Sequence, residues 1–419
     1  MKYKTYNCNS FNIYTIKTDR FKTSHLEVIF KNVLKKEEIG TYSFLADMLS
    51  EGCKKYPRKK DLITRFEELY KIVIYASTMR VGNVIDLHVS LDFINPEYIE
   101  DEGYIEDVIK TLFEVILNPN VCNDEFDLKT FNIVKERLRR EINSLKENPV
   151  KQSIKEAIKT MDSNSPTSYE ILGTIEELEN ITPAKLYNAY KSLRKNFKVD
   201  VFLIGNLDMD NVASLIKEYF KNRYIVSDNF EVMVDNKETK KVKEKTMKSD
   251  NIQTNLVMLF NLKNLSELEK NITLNCFNYL YGSGGLTSKL YKSIREENSL
   301  CYAINSMYLK YDKLLMVQIS LDNCNVKKAI SLVKKELKNM QNGNFSEEEV
   351  RDAINNMVIS LDMSLDNNIA ILNNYVFNIY DKLPSIEERK EYFKKLTKED
   401  IVNVSKKVKL NTIFTLEGR

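Results

Sequence analysis

The sequence predicts an α+β protein of two similar halves, each an antiparallel-rich sheet packed against helices and joined to the other by a linker. Three observations carry this. The chain has 419 residues, more than a single core ordinarily serves. Strand and helix patterns recur in the same order in both halves. The halves also close alike: LENITPAKLYNAYKSLRKNFKVDVFLIG and FKKLTKEDIVNVSKKVKLNTIFTLEG each read as a Thr-led helix start, a helix, a basic turn and a strand.

In the first half, residues 12–31 carry two strand patterns, the second with the apolar run Leu26 to Phe30 interrupted only by Glu27. A helix follows, with Phe44, Leu45, Met48 and Leu49 on one face and Gly52 as its stop. Another is expected over Lys59–Lys71. Ile85, Leu87, Val89, Leu91 and Phe93 alternate with polar residues, the mark of a half-buried strand. Three helices are expected from Ile105 to about Asp162, and helical patterns resume over Ile175–Leu193. Val199–Ile204 reads as a strand ending at Gly205, and Asp208 as the N-cap of a last helix. The stretch after Asn222 loses periodicity and turns lysine-rich, as a solvated connector does. The expected division is a first domain over 1–222, a linker over 223–245 and a second domain over 246–419.

The second half opens with an apolar strand, Leu256–Phe260, and a helix over Leu268–Tyr281. It then reaches GSGGLTSKLYKSIREENSLCY, residues 282–302, where three of the chain's eleven glycines fall within four positions. Gly282, Gly284 and Gly285 predict a turn that delivers the chain into a helix whose apolar face is Leu286, Leu290 and Ile294. Arg295 lies in its last turn, and Tyr302 starts the next strand. Leu315, Val317, Ile319 and Leu321 alternate as residues 85–93 do, and a helical stripe runs from Val326 to Met340.

Composition narrows the function. Lys+Arg 63 against Asp+Glu 60 leaves a net charge of +3, too even for a nucleic-acid footprint. No run of about 18 apolar residues is present to span a membrane, and the N-terminus has no apolar signal core, so a cytoplasmic protein is expected. The six cysteines lie at least 23 residues apart, with no CxxC, and are expected to be free buried thiols.

Taken together, the glycine turn, the Arg–Tyr spacing and the helix SFLADML resemble the insulinase/pitrilysin metallopeptidases, in the bacterial branch related to the mitochondrial processing peptidase, and within it a non-zinc, YfmF-like group. The resemblance covers nearly the whole chain. Active members carry HxxEH on the first long helix; here Ser43, Ala46 and Asp47 occupy the His, Glu and His positions. Glu141, in RREINSLKENP, matches the distal glutamate ligand, and Val134 stands where the family has a second glutamate. The chemical consequence needs no family. A catalytic zinc takes about three protein ligands and a water. Serine is a poor ligand, alanine is no base, and two carboxylates do not complete a site. The only histidines, His25 and His88, lie in strand patterns without a partner at ligand spacing. No metal is therefore expected in this chain.

The family's second feature is retained. SIREENSLCYAI keeps Arg295 and Tyr302 seven residues apart behind the loop Gly282, Ser283, Gly284, Gly285. The resemblance implies that such a loop binds peptide and that the Arg/Tyr pair binds the scissile carbonyl and stabilises its oxyanion. Each residue also has an ordinary structural use: arginine suits a helix C-terminus, tyrosine packs in strands, and glycine ends helices. The resemblance implies a zinc-free subunit of a heterodimeric peptide-processing peptidase without activity of its own, its zinc held by an HxxEH-bearing paralogous partner. A non-catalytic peptide-binding scaffold and a peptidase with a rebuilt metal site are the alternatives.

Overall fold

The computed structural model describes residues 2–227 and 229–419. The chain opens with β1 (Lys2–Asn7), β2 (Phe11–Lys17) and β3 (Thr23–Val33), then α1 (Ile39–Leu49), α2 (Lys59–Glu68), β4 (Val73–Val81) and β5 (Val84–Ile94). Next come α3 (Tyr104–Leu117), a small hairpin of β6 (Val121–Cys122) and β7 (Glu125–Phe126), α4 (Leu128–Glu147), α5 (Pro149–Asp162) and α6 (Ile175–Glu179). The first half closes with α7 (Pro183–Asn196), β8 (Lys198–Gly205) and α8 (Met209–Phe220). The second half holds β9 (Lys243–Lys248), β10 (Thr254–Leu262), the short α9 (Leu274–Asn278), β11 (Cys301–Leu309), β12 (Leu314–Leu321), α10 (Val326–Gln341), α11 (Glu347–Ser364), α12 (Asn368–Val376), α13 (Ile386–Lys394), α14 (Lys398–Ser405) and β13 (Val408–Glu417).

Two sheets result, and the α+β class stands as expected. The first runs β1-β2-β8-β3-β5-β4, antiparallel except where β2 meets β8; the second runs β11-β12-β10-β13-β9, antiparallel except where β13 meets β9. The repeated closing segment has a common physical start. Thr182 caps α7 by accepting from the Lys185 N–H, and Thr397 caps α14 by accepting from the Asp400 N–H.

Contacts sort the chain into two compact units. One comprises Met1–Asn143, Tyr169–Val232 and Asp366–Tyr380; the other comprises Ser144–Ser168, Met233–Leu365 and Asp381–Arg419. Thus α5, from the first half, belongs to the second unit, and α12, from the second half, to the first. Strand alternation makes room for both. In β10, Leu256, Met258 and Phe260 join the main core, while Val257 and Leu259 face the other way onto Ala157, Ile158 and Met161 of α5. In the first unit, α12 packs on β3 and β8. Amphipathicity marks α5 as a helix, but not which sheet it covers.

Several local expectations are corrected. The connector is not free throughout. The Val234 N–H donates to the Tyr311 carbonyl at 2.8 Å, Asn236 is buried, and β9 begins within the expected linker and pairs with β13. Edge strand β4 is an addition. Cys122 and Cys324 are exposed rather than buried. The helix after the glycine turn starts later than its apolar spacing suggests. Gly285 takes φ +59°, Ser288 is extended, and the helical run begins beyond it, with a π-helical turn over Tyr291–Glu296. Leu286 is consequently 65% exposed, whereas Leu290 and Ile294 are fully buried.

The face of the first sheet away from its main core is charged yet closed. Lys31 and Asp200 pair at 2.9 Å with both side chains buried. His88 Nδ1 lies 2.8 Å from Glu27, its Nε2 is 3.7 Å from Asp86, and Tyr380 donates to Asp86 at 2.5 Å. His25 lies 2.7 Å from Asp92. Both histidines thus serve carboxylates within the sheet: Glu27 and Asp92 reach them from the neighbouring strand, and Asp86 from two residues along β5.

Candidate functional site

In the first unit, α1 presents Ser43, Ala46 and Asp47. Ser43 is buried; its hydroxyl lies 2.6 Å from the Thr78 hydroxyl on β4 and donates to the Ile171 carbonyl. Ala46 is buried in the core. Asp47 meets a cation that the sequence did not single out. Arg137 of α4 donates from Nη2 to Asp47 Oδ2 at 3.2 Å and from Nη1 to Glu51 Oε1 at 2.7 Å. Asp47 sits in the last turn of α1 and Glu51 just beyond its C-cap, Ser50; Lys59 adds a second cation 3.7 Å from Glu51. Burial and the nearby Glu51 raise the Asp47 carboxyl above the usual range despite Arg137.

This donor set does not fit zinc. Val134 is fully buried and apolar. Glu141 is exposed, and among the described residues no three His, Cys, Asp or Glu side chains cluster closely enough to hold a metal ion. The positive charge beside Asp47 is instead a guanidinium. Its sequence signal is modest: an arginine four residues before Glu141, and an acid four residues after Asp47.

In the second unit, the glycines have distinct reasons. A Cβ on Gly282 would stand 2.6 Å from Ser306 Oγ, and one on Gly284 would stand 2.6 Å from the Tyr279 carbonyl oxygen. At Gly285 the space is open and the constraint is its left-handed φ. Ser283 accepts from Asn278 Nδ2 at 3.1 Å. Beyond the turn, Lys289 anchors the segment to Glu349 at 2.7 Å. Arg295 is exposed, with its guanidinium 5.2 Å from the Tyr291 ring. Tyr302 is 53% exposed, and its hydroxyl donates to Asp322 Oδ1 at 3.0 Å. That hydrogen bond and the carboxylate's charge raise the phenol's pKa. Arg295 and Tyr302 flank the turn that enters β11, where the Ser299 N–H closes back on the Arg295 carbonyl.

This architecture is similar to that of M16 peptidase homologues. Residues 180–357 match the family described as "Peptidase M16 inactive domain". Across its length the chain is 26% identical over 412 residues, 96% of this chain and 95% of the relative, to "Probable inactive metalloprotease YmfF" of Bacillus subtilis (strain 168). A shorter match, 26% identical over 114 residues and covering 27% of this chain and 26% of the relative, is to "Uncharacterized zinc protease YmfH" of the same strain. The fold is shared with a conserved protein from Enterococcus faecalis V583, with a TM-score of 0.93 and 23% identity over 100% of this chain and 99% of that one. The inactive-domain match and the inactive full-length relative agree with a chain that carries no zinc of its own. No helix among the described residues is long and apolar enough to cross a membrane.

Proposed function

We propose that this chain is the zinc-free subunit of a heterodimeric, cytoplasmic peptidase, paired with an HxxEH-bearing paralogue and acting on peptides rather than nucleic acid. The observation that carries this reading is an asymmetry. Asp47 is paired with Arg137, while Arg295 and Tyr302 stay exposed behind a glycine turn. In this reading the 282–285 loop forms part of the peptide-binding wall. Arg295 and Tyr302 supply donors to the carbonyl oxygen as negative charge develops there. The short match to a protein described as a zinc protease supports a paralogue as partner.

The test mixes this chain with an HxxEH paralogue from the same genome, confirms a complex by size-exclusion chromatography and measures peptide hydrolysis. Tyr302→Phe and Arg295→Ala are each expected to lower turnover by roughly a hundredfold or more without dispersing the complex. Full activity in an intact Tyr302→Phe complex would leave the chain a non-catalytic peptide-binding scaffold. The Tyr302–Asp322 hydrogen bond favours that second reading, because it already occupies the phenolic proton.

A further inference from the structure

In the first unit, the chain leaving α8 and the end of α7 line an open cavity of about 470 Å³, within the range of small-ligand sites. Its walls are strongly basic. α7 contributes Lys191, Arg194 and Lys195, and the segment after α8 contributes Lys221, Arg223 and Tyr224. The one acid lining it, Glu218, is engaged by Lys221 at 3.0 Å. Among the described residues the other four cations form no ion pair. Lys191 rests over the Tyr187 ring and Lys195 over the Tyr224 ring.

The arginines are held by neutral groups. Arg223 donates to the backbone carbonyls of Arg194, at 2.9 Å, and Phe197. Arg194 donates to the Tyr190 hydroxyl at 3.0 Å. The Nε of each guanidinium is buried without a hydrogen-bond partner. Burial and the adjacent Arg194 push Arg223 down to about 10. Carbonyls at a helix C-terminus favour a nearby cation, which accounts for one such residue. It does not account for two neighbouring guanidiniums with two lysines beside them and no matching anion.

We propose that this cavity binds an oligophosphate group, with Arg194 and Arg223 as fixed positive charges in its wall and Lys191 and Lys195 as point charges at the mouth. Tyr224, 62% exposed at the rim, offers a ring face to a nucleobase if the oligophosphate belongs to a nucleotide. The site lies in one unit of one chain and depends on no peptidase partner.

Calorimetric titration of the full chain with inorganic tripolyphosphate, at fixed ionic strength, tests this. Saturable one-to-one binding is expected, weakened roughly tenfold or more in a folded Lys191→Gln/Lys195→Gln variant, which alters only exposed lysines. Arg223→Gln is expected to weaken it further, with circular dichroism verifying the fold because Arg223 also braces the end of α7. A parallel ATP arm distinguishes sources. Tighter binding of ATP than of tripolyphosphate assigns the cavity to a nucleotide, and equal binding assigns it to the phosphate chain alone. No saturable binding by the unaltered chain, or unchanged affinity in the folded double-lysine variant, overturns the proposal.

Discussion

The Arg137 guanidinium lies 3.2 Å from the Asp47 carboxylate and also holds Glu51, at 2.7 Å. Replacing Arg137 by Ala leaves Asp47 and Glu51 half-buried, close together and without that partner. The expected loss at neutral pH is about 1–2 kcal/mol, reduced from a fully buried pair because Arg137 is partly exposed. The sign of the pH effect is fixed: protonating the two carboxylates at low pH removes their repulsion, so the deficit shrinks as pH falls. Thermal unfolding of both proteins across acidic and neutral pH checks this, and a deficit that grows on acidification contradicts it.

His88 sets a second pH dependence. Burial opposes its charge, but the carboxylates of Asp86 and Glu27 outweigh that and raise it from 6.5 to about 9. A raised folded-state pKa stabilises fully below the unfolded value and is lost as pH climbs through the folded one. Stability therefore declines from pH 6.5 to pH 9. In His88→Gln this component of the slope is expected to vanish, as followed by denaturant midpoints over that interval. An equally steep decline in the variant would remove His88 as its source.

The architecture was legible where periodicity and capping act locally. Thr182 and Thr397 announce the same helix start, and the alternation of residues 85–93 and 315–321 announces matching strands. What escaped was what depends on partners distant in sequence. No spacing rule reveals that α5 covers β10, that His88 faces Glu27 or that Arg137 fills the space beside Asp47. That Ser43, Ala46 and Asp47 make a poor metal-ligand set was readable because ligand chemistry shows in the residue type itself. Leu286 misled because a left-handed glycine reset the helix start, which apolar spacing does not encode.

Gly282 and Gly285 separate packing from backbone freedom. Gly282→Ala places a methyl 2.6 Å from Ser306 Oγ and 2.9 Å from Leu290 Cδ1, and about 1–3 kcal/mol of destabilisation is expected. Ser306→Gly in the same chain relieves the closer contact, so the two changes are expected to couple favourably in a double-mutant cycle. Gly285→Ala meets open space and costs about 1 kcal/mol through its left-handed conformation. No rescue by Ser306→Gly is expected there, and equal rescue at both positions would discard the distinction.

Asp322 controls the state of Tyr302. Asp322→Asn removes the carboxylate whose hydrogen bond and charge raise the phenol, and the Tyr302 pKa is expected to move back toward its ordinary value. Ultraviolet difference titration against a Tyr302→Phe background isolates that one ring, and an unmoved titration would show that the 3.0 Å contact does not govern it.

The exchange of α5 and α12 between the units bears on synthesis. A ribosome completes β8 at Gly205 and must then extend the chain through residues 206–367 before the helix that packs on β8 and β3 begins. At the usual pace of translation that delay is on the order of ten seconds. For that interval the nascent first sheet carries Lys31, Asp200, His88 and Glu27 on a face still missing its last helix. Charge on that face offers neighbouring nascent chains a poor surface for sticking. The same polar residues that form buried ion pairs in the finished protein thus give the unfinished one a measure of solubility.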